Sequence, residues 1–332
     1  MPDEALLEVN GLSVGFATPR GVVLAVNDVS FTIYRGEVFG LAGESGSGKS
    51  TVAHALLRVL QGSANYSGSV KFRGQEVLTM DPVRLRKYRW ADVSLVMQGA
   101  MNALNPVATI QSQIVDVIRA HTHVSRREAR AAVPELLELV GIDPARRRAY
   151  PHELSGGMRQ RCVIAVALAL QPSLVVMDEP TTALDVVVQR SIMDELARLR
   201  DRLGFSVILI SHDLDLVAER SSRVAIMYGG RLVEVGPASS VVAKPLHPYT
   251  EALLSSSMSL DGPVHRLVDL PGKPPDLIGA QPGCAFFPRC AKAQPGHDLK
   301  VPSLLEVEAG HQVACHLYSS AAVPAIEAGA SE

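Results

Sequence analysis

A glycine-rich stretch, GESGSGKS, begins at Gly43 and has the spacing of a loop that binds the phosphate groups of a nucleotide. Gly43, together with Gly46 and Gly48, would let backbone N–H groups turn inward around the phosphates, where side chains would clash. Lys49 would add a mobile positive charge, and the hydroxyl of Ser50 is a ligand for Mg²⁺. A turn that matches the pattern without binding phosphate is the alternative. The short apolar strand before the loop and the helical spacing after it favour a phosphate site.

A second stretch, LVVMDEPTTALD, begins at Leu174 and carries two neighbouring carboxylates. The four apolar residues before Asp178 predict a buried strand whose end brings this carboxylate beside the phosphate loop as a ligand for Mg²⁺. Glu179 follows directly and is the natural group to polarise an attacking water. An Asp–Glu pair that only caps the next helix is the alternative, and the phosphate loop makes it the weaker one.

Composition excludes several classes of protein for this chain of 332 residues. It is 47% hydrophobic and 20% charged, as in globular proteins. With 32 Lys and Arg against 34 Asp and Glu, it has no basic excess for nucleic acid. The longest apolar run, Val163 to Leu170, is too short to span a bilayer, and MPDEALLEV at the N-terminus does not resemble a signal peptide. We therefore expect a cytosolic protein or one peripheral to a membrane.

The elements that must position these residues follow a strand–helix alternation, which predicts an α/β fold with a mostly parallel sheet covered on both faces. Alternating residues over 6–34 predict antiparallel strands, and residues 68–98 predict further strands with a short polar helix near Pro82–Arg89. Residues 101–165 predict a helical insertion with a capping box at Ser125 and Glu128. After about residue 256 the chain is rich in proline and loses periodicity.

A third stretch, LSGGMRQR, begins at Leu154, between the phosphate loop and the stretch that contains Asp178 and Glu179. With this signature the chain resembles the nucleotide-binding subunits of ABC transporters. The resemblance implies a P-loop NTPase fold of the ABC type, with a RecA-like core, an antiparallel β subdomain, a helical insertion and a small irregular C-terminal extension. It also implies that Ser155, Gly156 and Gly157 face the γ-phosphate held by an opposite subunit, so that hydrolysis requires a dimer.

The resemblance further implies roles for single residues. Gln98 corresponds to the Q-loop glutamine, Asp185 ends the D-loop Ala183–Leu184–Asp185, and His212 corresponds to the switch histidine. Phe16 lies where the family places an aromatic under the adenine, although it could equally be a core residue. The implied catalytic residues are Lys49, Glu179 and His212. The implied Mg²⁺ ligands are Ser50, Gln98 and Asp178. The implied nucleotide-binding residues are Phe16, Gly43, Glu44, Ser45, Gly46, Ser47, Gly48, Lys49, Ser50, Thr51, Gln98, Ser155, Gly156, Gly157, Asp178 and Asp185.

Several short stretches of the sequence resemble those of the dipeptide/oligopeptide (peptide/nickel) importer ATPases. They are QGAMNALNP, YPHELSGGMRQR, HPYTEALL, PGCAFFPRC and GHQVACHLY. This resemblance implies an ATPase at the cytoplasmic face of the cell membrane. Its partners would be two permease subunits, a second homologous ATPase (a heterodimer rather than a homodimer) and, indirectly, a solute-binding protein. Peptides, nickel chelates and oligosaccharides stay open as solutes, because the ATPase never touches the cargo. The apolar residues Met101, Leu104, Val107 and Ile110 would receive the permease helices or form ordinary core.

Two other classes of ATPase compete with this interpretation. A soluble ABC ATPase of DNA repair or translation usually carries two cassettes, long coiled coils or basic linkers, none of which the sequence contains. A P-loop metabolic kinase needs neither the signature nor the switch histidine. Membrane association in fractionated cells would separate an importer subunit from the soluble ATPase.

Three of the four cysteines follow residue 283. The resembled extension carries four Cys that ligate a metal or a [4Fe–4S] cluster, and this chain has Cys284, Cys290 and Cys315, with His297 at the expected third position. Such a set can hold iron–sulfur or zinc, and the resemblance favours [4Fe–4S]. Packed thiols without metal are the alternative, and Cys162 is predicted to lie in the core. The predicted domains are an ATPase domain over 1–256, a cysteine-rich extension over 257–318 and a disordered tail over 319–332.

Overall fold

An antiparallel sheet opens the computed structural model, which describes residues 4–60, 62, 64–99, 103–181, 185–256, 272–279 and 281–318. The alternating residues form its two long strands, as predicted, and side chains such as Val9 and Val14 lie on the buried face of the sheet. The order along the sheet is β2-β1-β4-β5. These strands are β1 (Ala5–Thr18), β2 (Gly21–Tyr34), β4 (Ala64–Phe72) and β5 (Gln75–Glu76).

The second sheet is the core, in the order β11-β12-β10-β9-β3-β8-β7-β6. The five neighbouring strands from β9 to β6 are parallel, so their carboxyl ends lie along one edge of the sheet. The parallel strands are β3 (Val38–Ala42), β6 (Val93–Val96), β7 (Leu174–Asp178), β8 (Ser206–Ser211) and β9 (Arg223–Tyr228). Because the phosphate loop, Gln98, Glu179 and His212 each follow one of these strands, the topology gathers them at that edge.

Helices cover both faces of the core sheet, and capping side chains set where several of them begin. Asp81, Thr109, Asp185 and Asp213 each accept a hydrogen bond from a backbone N–H of the first turn. The helices are α1 (Lys49–Leu56), α2 (Pro82–Lys87), α3 (Ile110–His121), α4 (Arg126–Leu139), α5 (Gly156–Leu168), α6 (Val186–Leu203), α7 (Leu214–Arg220), α8 (Ala238–Ala243) and α9 (Pro248–Ser256).

The helical insertion contains α3, α4 and α5. The predicted capping box is confirmed at the start of α4, where Ser125 and Glu128 exchange hydrogen bonds of 2.8 and 3.2 Å. Ala129, Val133 and Leu137 lie on the buried face of α4, as its spacing predicted. This insertion therefore has a core of its own that continues into the face of the central sheet.

A short hairpin in the C-terminal extension extends the core sheet. Strand β12 (His311–Val313) pairs antiparallel with β10 (Arg231–Pro237) on one side and with β11 (Leu305–Glu308) on the other. Strands of three and four residues are too short to produce a recognisable alternation, and so the sequence did not reveal them. The predicted disorder of 319–332 lies outside the described residues.

Among the helices that the structure describes, none is both long enough and apolar enough to cross a membrane.

Candidate functional site

The phosphate loop adopts a conformation that only glycine can take at two positions. Gly43 and Gly48 have φ angles of 145° and 105°. A Cβ atom on Gly43 would lie 2.2 Å from the carbonyl oxygen of Met227, and one on Gly48 would lie 2.3 Å from that of Ala25. The loop is therefore pressed against β9 and β2, and α1 begins directly after it with its free N–H groups at the mouth of the loop.

The ammonium group of Lys49 lies inside this loop. It donates hydrogen bonds to the carbonyl oxygens of Gly43 (2.7 Å) and Glu44 (2.8 Å) and is buried. Burial lowers the pKa of Lys49 from its ordinary value, and the nearby carboxylates of Glu179 and Asp178 oppose that shift. A charged ammonium held at the centre of a ring of backbone groups is suited to phosphate oxygens.

Asp178 ends strand β7 and is 1% exposed. Its Oδ1 accepts a hydrogen bond of 3.0 Å from the hydroxyl of Ser50. Burial raises the pKa of Asp178, and the hydrogen bond from Ser50 opposes the shift. A hydroxyl and a carboxylate side by side at the phosphate loop are the oxygen ligands that Mg²⁺ prefers, so these residues fit that ion.

Glu179 is held between two strand ends. Its Oε2 accepts a hydrogen bond of 2.6 Å from Nε2 of Gln98, and its Oε1 accepts one of 3.0 Å from Nδ1 of His212. The backbone N–H of Glu179 donates to the carbonyl oxygen of Ile210 at 2.9 Å. The carboxylate is thus fixed beside Asp178 by groups from β6 and β8, which is the arrangement expected of a residue that orients a water.

The signature sequence begins helix α5. The hydroxyl of Ser155 accepts a hydrogen bond of 3.3 Å from the backbone N–H of Met158, while Gly156 and Gly157 form the first turn. A Cβ on Gly157 would lie 3.0 Å from a methyl group of Val188, so the lack of a side chain at this position lets α5 lie close to α6. The hydroxyl therefore caps the helix and leaves its N-terminus as an anion-binding position.

The remaining predicted nucleotide-binding residues lie on several elements. Phe16 is on β1, partly buried against the core. Asp185 caps α6 through a hydrogen bond of 2.9 Å from the N–H of Val188, and the other two D-loop residues lie outside the described residues. Ser45 and Gly46 are exposed in the loop, Ser47 is buried, and Thr51 is half-buried on α1.

A contact between the phosphate loop and the C-terminal extension was not predicted from the sequence. The guanidinium of Arg289 donates two hydrogen bonds, of 2.8 and 2.9 Å, to the carboxylate of Glu44. The hydroxyl of Tyr249 accepts a hydrogen bond of 2.7 Å from the backbone N–H of Glu44. Both residues belong to quoted stretches, PGCAFFPRC and HPYTEALL, but nothing in either stretch indicates a partner about 200 residues away or more.

The cysteines of the extension gather around one small cavity. Cys284, Cys290, Cys315 and His297 all line it. Burial raises the pKa of the Cys315 thiol to about 11 and also raises that of Cys284. Within the described part of the chain, no three His, Cys, Asp or Glu side chains are arranged to hold a metal ion. The expected ligand set therefore shares a cavity but is not arranged around a single point.

Two smaller predictions are decided by burial. Cys162 is fully buried in the core of the helical insertion, as predicted. In the segment after Gln98, Leu104 and Ile110 are buried, whereas Val107 is 82% exposed. Met101 lies outside the described residues. The core interpretation is therefore right for Leu104 and Ile110, and Val107 is the one of the three described residues that is available to a partner.

A phosphate loop, a buried acidic strand end, and a glutamine and a histidine bonded to one carboxylate define this protein as a P-loop nucleotide-binding cassette. The comparisons with known proteins agree. Residues 26–182 match the ABC transporter family model, and residues 233–296 match the model of the oligopeptide/dipeptide transporter C-terminal region.

Relatives with known names extend this match over most of the chain. A peptide import ATP-binding protein of Brucella abortus is 49% identical over 292 residues, which are 87% of this chain and 88% of that protein. The oligopeptide transport ATP-binding protein OppD of Salmonella typhimurium is 44% identical over 294 residues, 88% of each chain. The chain belongs to the family of ABC transporter ATP-binding proteins that includes these oligopeptide and dipeptide transport subunits.

Solved structures show the same fold. A dimeric ATP-binding cassette in a post-hydrolysis state with ADP and Pi superposes with a TM-score of 0.62 at 26% identity, covering 70% of this chain and 98% of that one. CbiO1 of Clostridium perfringens, part of the CbiONQ ABC transporter complex, gives 0.61 at 27% identity and covers 73% and 92%. The described fold is that of an ABC ATPase.

Proposed function

We propose that this chain is the ATP-hydrolysing subunit of an ABC importer for di- or oligopeptides. The observation that carries the proposal is the position of Glu179, bonded to Gln98 and His212 beside the Lys49 loop. The transport subunits among the relatives support peptides as the solute. Nickel chelates and oligosaccharides are the other solutes that the resemblance implies, and only a transport assay distinguishes the three.

The proposed residue roles combine the geometry of the site with the roles that the family resemblance implies. Lys49 and the N–H groups of the loop bind the β- and γ-phosphates of ATP, and Ser50, Asp178 and Gln98 are the Mg²⁺ ligands. The bound Mg²⁺ supplies charge neutralisation for the phosphates. Glu179 orients the attacking water and accepts its proton, while His212 holds Glu179 and contacts the γ-phosphate.

The second half of each ATP site comes from another subunit. In this proposal Ser155, Gly156, Gly157 and Asp185 face the ATP held by the opposite phosphate loop. Helix α5 supports this role, because its N-terminus offers N–H groups to an anion. We favour a second, homologous ATPase over a second copy as the partner, which follows from the family resemblance. Closure of this dimer on ATP would move the attached permeases.

Two permease subunits would attach this chain to the cytoplasmic face of the membrane, and a solute-binding protein would act through them. The family resemblance implies an attachment site in the segment after Gln98, and Val107 in this segment is exposed and free to contact a partner. Nucleic acid has no place in this proposal, since the chain carries a net charge of -2.

The cysteine-rich C-terminal extension is proposed to hold a [4Fe–4S] cluster, with zinc as the lesser candidate. The ligands would be Cys284, Cys290, His297 and Cys315. The preference for a cluster over zinc follows from the family resemblance, and the support from the structure is that these four residues line one small cavity. Iron and sulfide analysis of anaerobically purified protein tests this. Stoichiometric iron and sulfide are expected, zinc alone would leave the ligands but reject the cluster, and metal-free protein would reject both.

The function itself is tested by Glu179→Gln in the assembled complex. The amide keeps the shape of the side chain but cannot accept the proton, so ATP turnover should fall by roughly 10²–10⁴ while ATP binding is retained. Lys49→Ala is the matched variant, since it should weaken ATP binding itself. Near-normal turnover in Glu179→Gln complexes would contradict the assignment of the base. Peptide uptake that continues without ATP hydrolysis would contradict the function.

A further inference from the structure

The C-terminal extension contacts the phosphate loop through an ion pair with Glu44. The two hydrogen bonds from Arg289 to this carboxylate form a bidentate pair, at 2.8 and 2.9 Å. The Arg289 side chain is 5% exposed and that of Glu44 is 22% exposed. A pair with this geometry and burial is stronger than an exposed surface salt bridge.

An aromatic cluster fixes the guanidinium in place. Arg289 donates a hydrogen bond of 3.1 Å to the hydroxyl of Tyr228 and lies 5.7 Å from the centre of its ring. Tyr228 packs against Tyr249 at 4.6 Å between ring centroids and against Phe286 at 5.2 Å. Because the hydroxyl of Tyr249 also holds the backbone N–H of Glu44, both the side chain and the main chain of this loop residue are anchored from outside the loop.

The charge of Glu44 matters because of where it lies. Its backbone carbonyl accepts a hydrogen bond of 2.8 Å from the ammonium of Lys49, the group that would meet the phosphates. An unneutralised carboxylate on this residue would repel ATP, which carries several negative charges of its own. In the structure, the Arg289 guanidinium neutralises this carboxylate and holds it in one orientation.

We propose that Arg289 is a positioning residue for the nucleotide site, which neutralises and holds Glu44 so that the phosphate loop can accept ATP. The inference rests on the proposed ATP site. It assigns part of that site to a segment about 240 residues beyond the loop.

A charge effect and a purely structural anchor predict different results. In Arg289→Gln, the freed Glu44 carboxylate should weaken ATP binding by about tenfold at low ionic strength, and less at high salt. ADP should lose less affinity than ATP, because it carries one charge fewer. Adding Glu44→Gln to Arg289→Gln removes the repelling charge, so the double variant should recover most of the ATP affinity although the ion pair is still missing.

Lys292→Gln is the matched control. Lys292 lies in the same segment and forms an ion pair of 2.6 Å with Glu251, with both side chains about half exposed. Loss of this pair should leave ATP affinity unchanged. If Arg289→Gln expresses poorly, Glu44→Gln alone keeps the proposal testable: it removes the repelling charge and should bind ATP at least as well as wild type, whereas a purely structural anchor predicts a loss of affinity.

The measurement is the dissociation constant for ATP and ADP by calorimetry or with a fluorescent analogue, on the full chain with Mg²⁺. ATP affinity equal to wild type in Arg289→Gln would overturn the inference. A double variant as weak as Arg289→Gln would also overturn it, since that result means the contact only anchors the extension. Failure of the wild type to bind ATP, with Lys49→Ala no weaker, would instead overturn the nucleotide site itself.

Discussion

Glu179 occupies a backbone conformation that residues other than glycine rarely adopt, with φ 47°. Such strain persists only where the surroundings enforce it, and here the N–H of Glu179 bonds to strand β8 while Gln98 and His212 hold its carboxylate. The strained turn directs the side chain away from the strand that carries Asp178. Two adjacent acids thereby take different positions at one site, one buried beside Ser50 and the other between two strand ends.

The buried Asp178 should make the metal-free protein less stable at high pH. Its pKa is raised by burial, so the folded protein holds the proton more tightly than the unfolded chain does. The ionised carboxylate therefore costs stability above the folded-state pKa, and this cost disappears as the pH falls toward the ordinary value of about 4. Asp178→Asn keeps the shape without the charge, and we expect it to raise the melting temperature at pH 8 in buffer with a chelator.

The gain from Asp178→Asn should shrink as the pH is lowered, and the variant should no longer respond to Mg²⁺ with ATP. Thermal denaturation across a pH series measures both effects. Asp201→Asn is the control, because Asp201 is an exposed acid on α6 and its neutralisation should give no such gain. An Asp178→Asn protein that is less stable than wild type at pH 8 would contradict the argument.

At the scale of elements, the segment between β6 and α3 turns two residues inward and one outward. Leu104 and Ile110 anchor it in the core of the helical insertion, and Val107 lies between them in solvent. A segment that is anchored through Leu104 and Ile110 and exposes Val107 can contact a partner helix close to the site around Gln98. That is the property required of a link between ATP binding and a permease.

Val107→Asp should weaken attachment to the permease without affecting the isolated subunit. Since the side chain is 82% exposed, its replacement should change the free energy of unfolding by less than about 0.5 kcal/mol. Val83→Asp is the matched control, because Val83 on α2 is 78% exposed and lies outside the segment. Co-purification with the permease measures attachment. Equal attachment of both variants would place the interface elsewhere.

Much of the fold and site could be predicted from the sequence, where local pattern and chemistry agree. The phosphate loop, Asp178 and the capping box of α4 each depend on residues close in the chain, and the structure places them as expected. The contact of Arg289 with Glu44 could not be predicted, because a single charge pair between distant residues leaves no periodic signal. The hairpin β11–β12 was missed for a similar reason, since its strands are too short to alternate visibly.

For the whole molecule, the extension completes the core sheet as well as the phosphate loop. Strand β12 covers the edge of β10, and His311 donates a hydrogen bond of 2.8 Å to the fully buried carboxylate of Glu234. The backbone N–H groups of Leu246 and His247 also bond to this carboxylate, at 2.8 and 2.9 Å. Removal of His311 would leave this buried carboxylate partly unpaired, which destabilises the fold.

A chain that ends at Ser256 should therefore aggregate. It would expose the edge of β10, leave Glu234 without His311 and leave Glu44 without Arg289. Size-exclusion chromatography and dye binding to exposed apolar surface would detect this. A chain that ends at Tyr318 keeps these contacts and should stay monodisperse. A 1–256 fragment that is monodisperse and melts at the wild-type temperature would show that the extension is dispensable for folding.

The ion pair between Arg289 and Glu44 also determines when, during synthesis of the chain, the nucleotide site becomes complete. The loop GESGSGKS leaves the ribosome about 240 residues before Arg289 does, an interval of roughly 10–50 s at ordinary rates of translation. During this time the loop has its glycines and its lysine but also an unneutralised carboxylate. We therefore expect a nascent chain, or one released before Arg289 is added, to have a lower affinity for ATP than the full chain. On the proposed role of Arg289, the nucleotide site is complete only after residue 289 has been made.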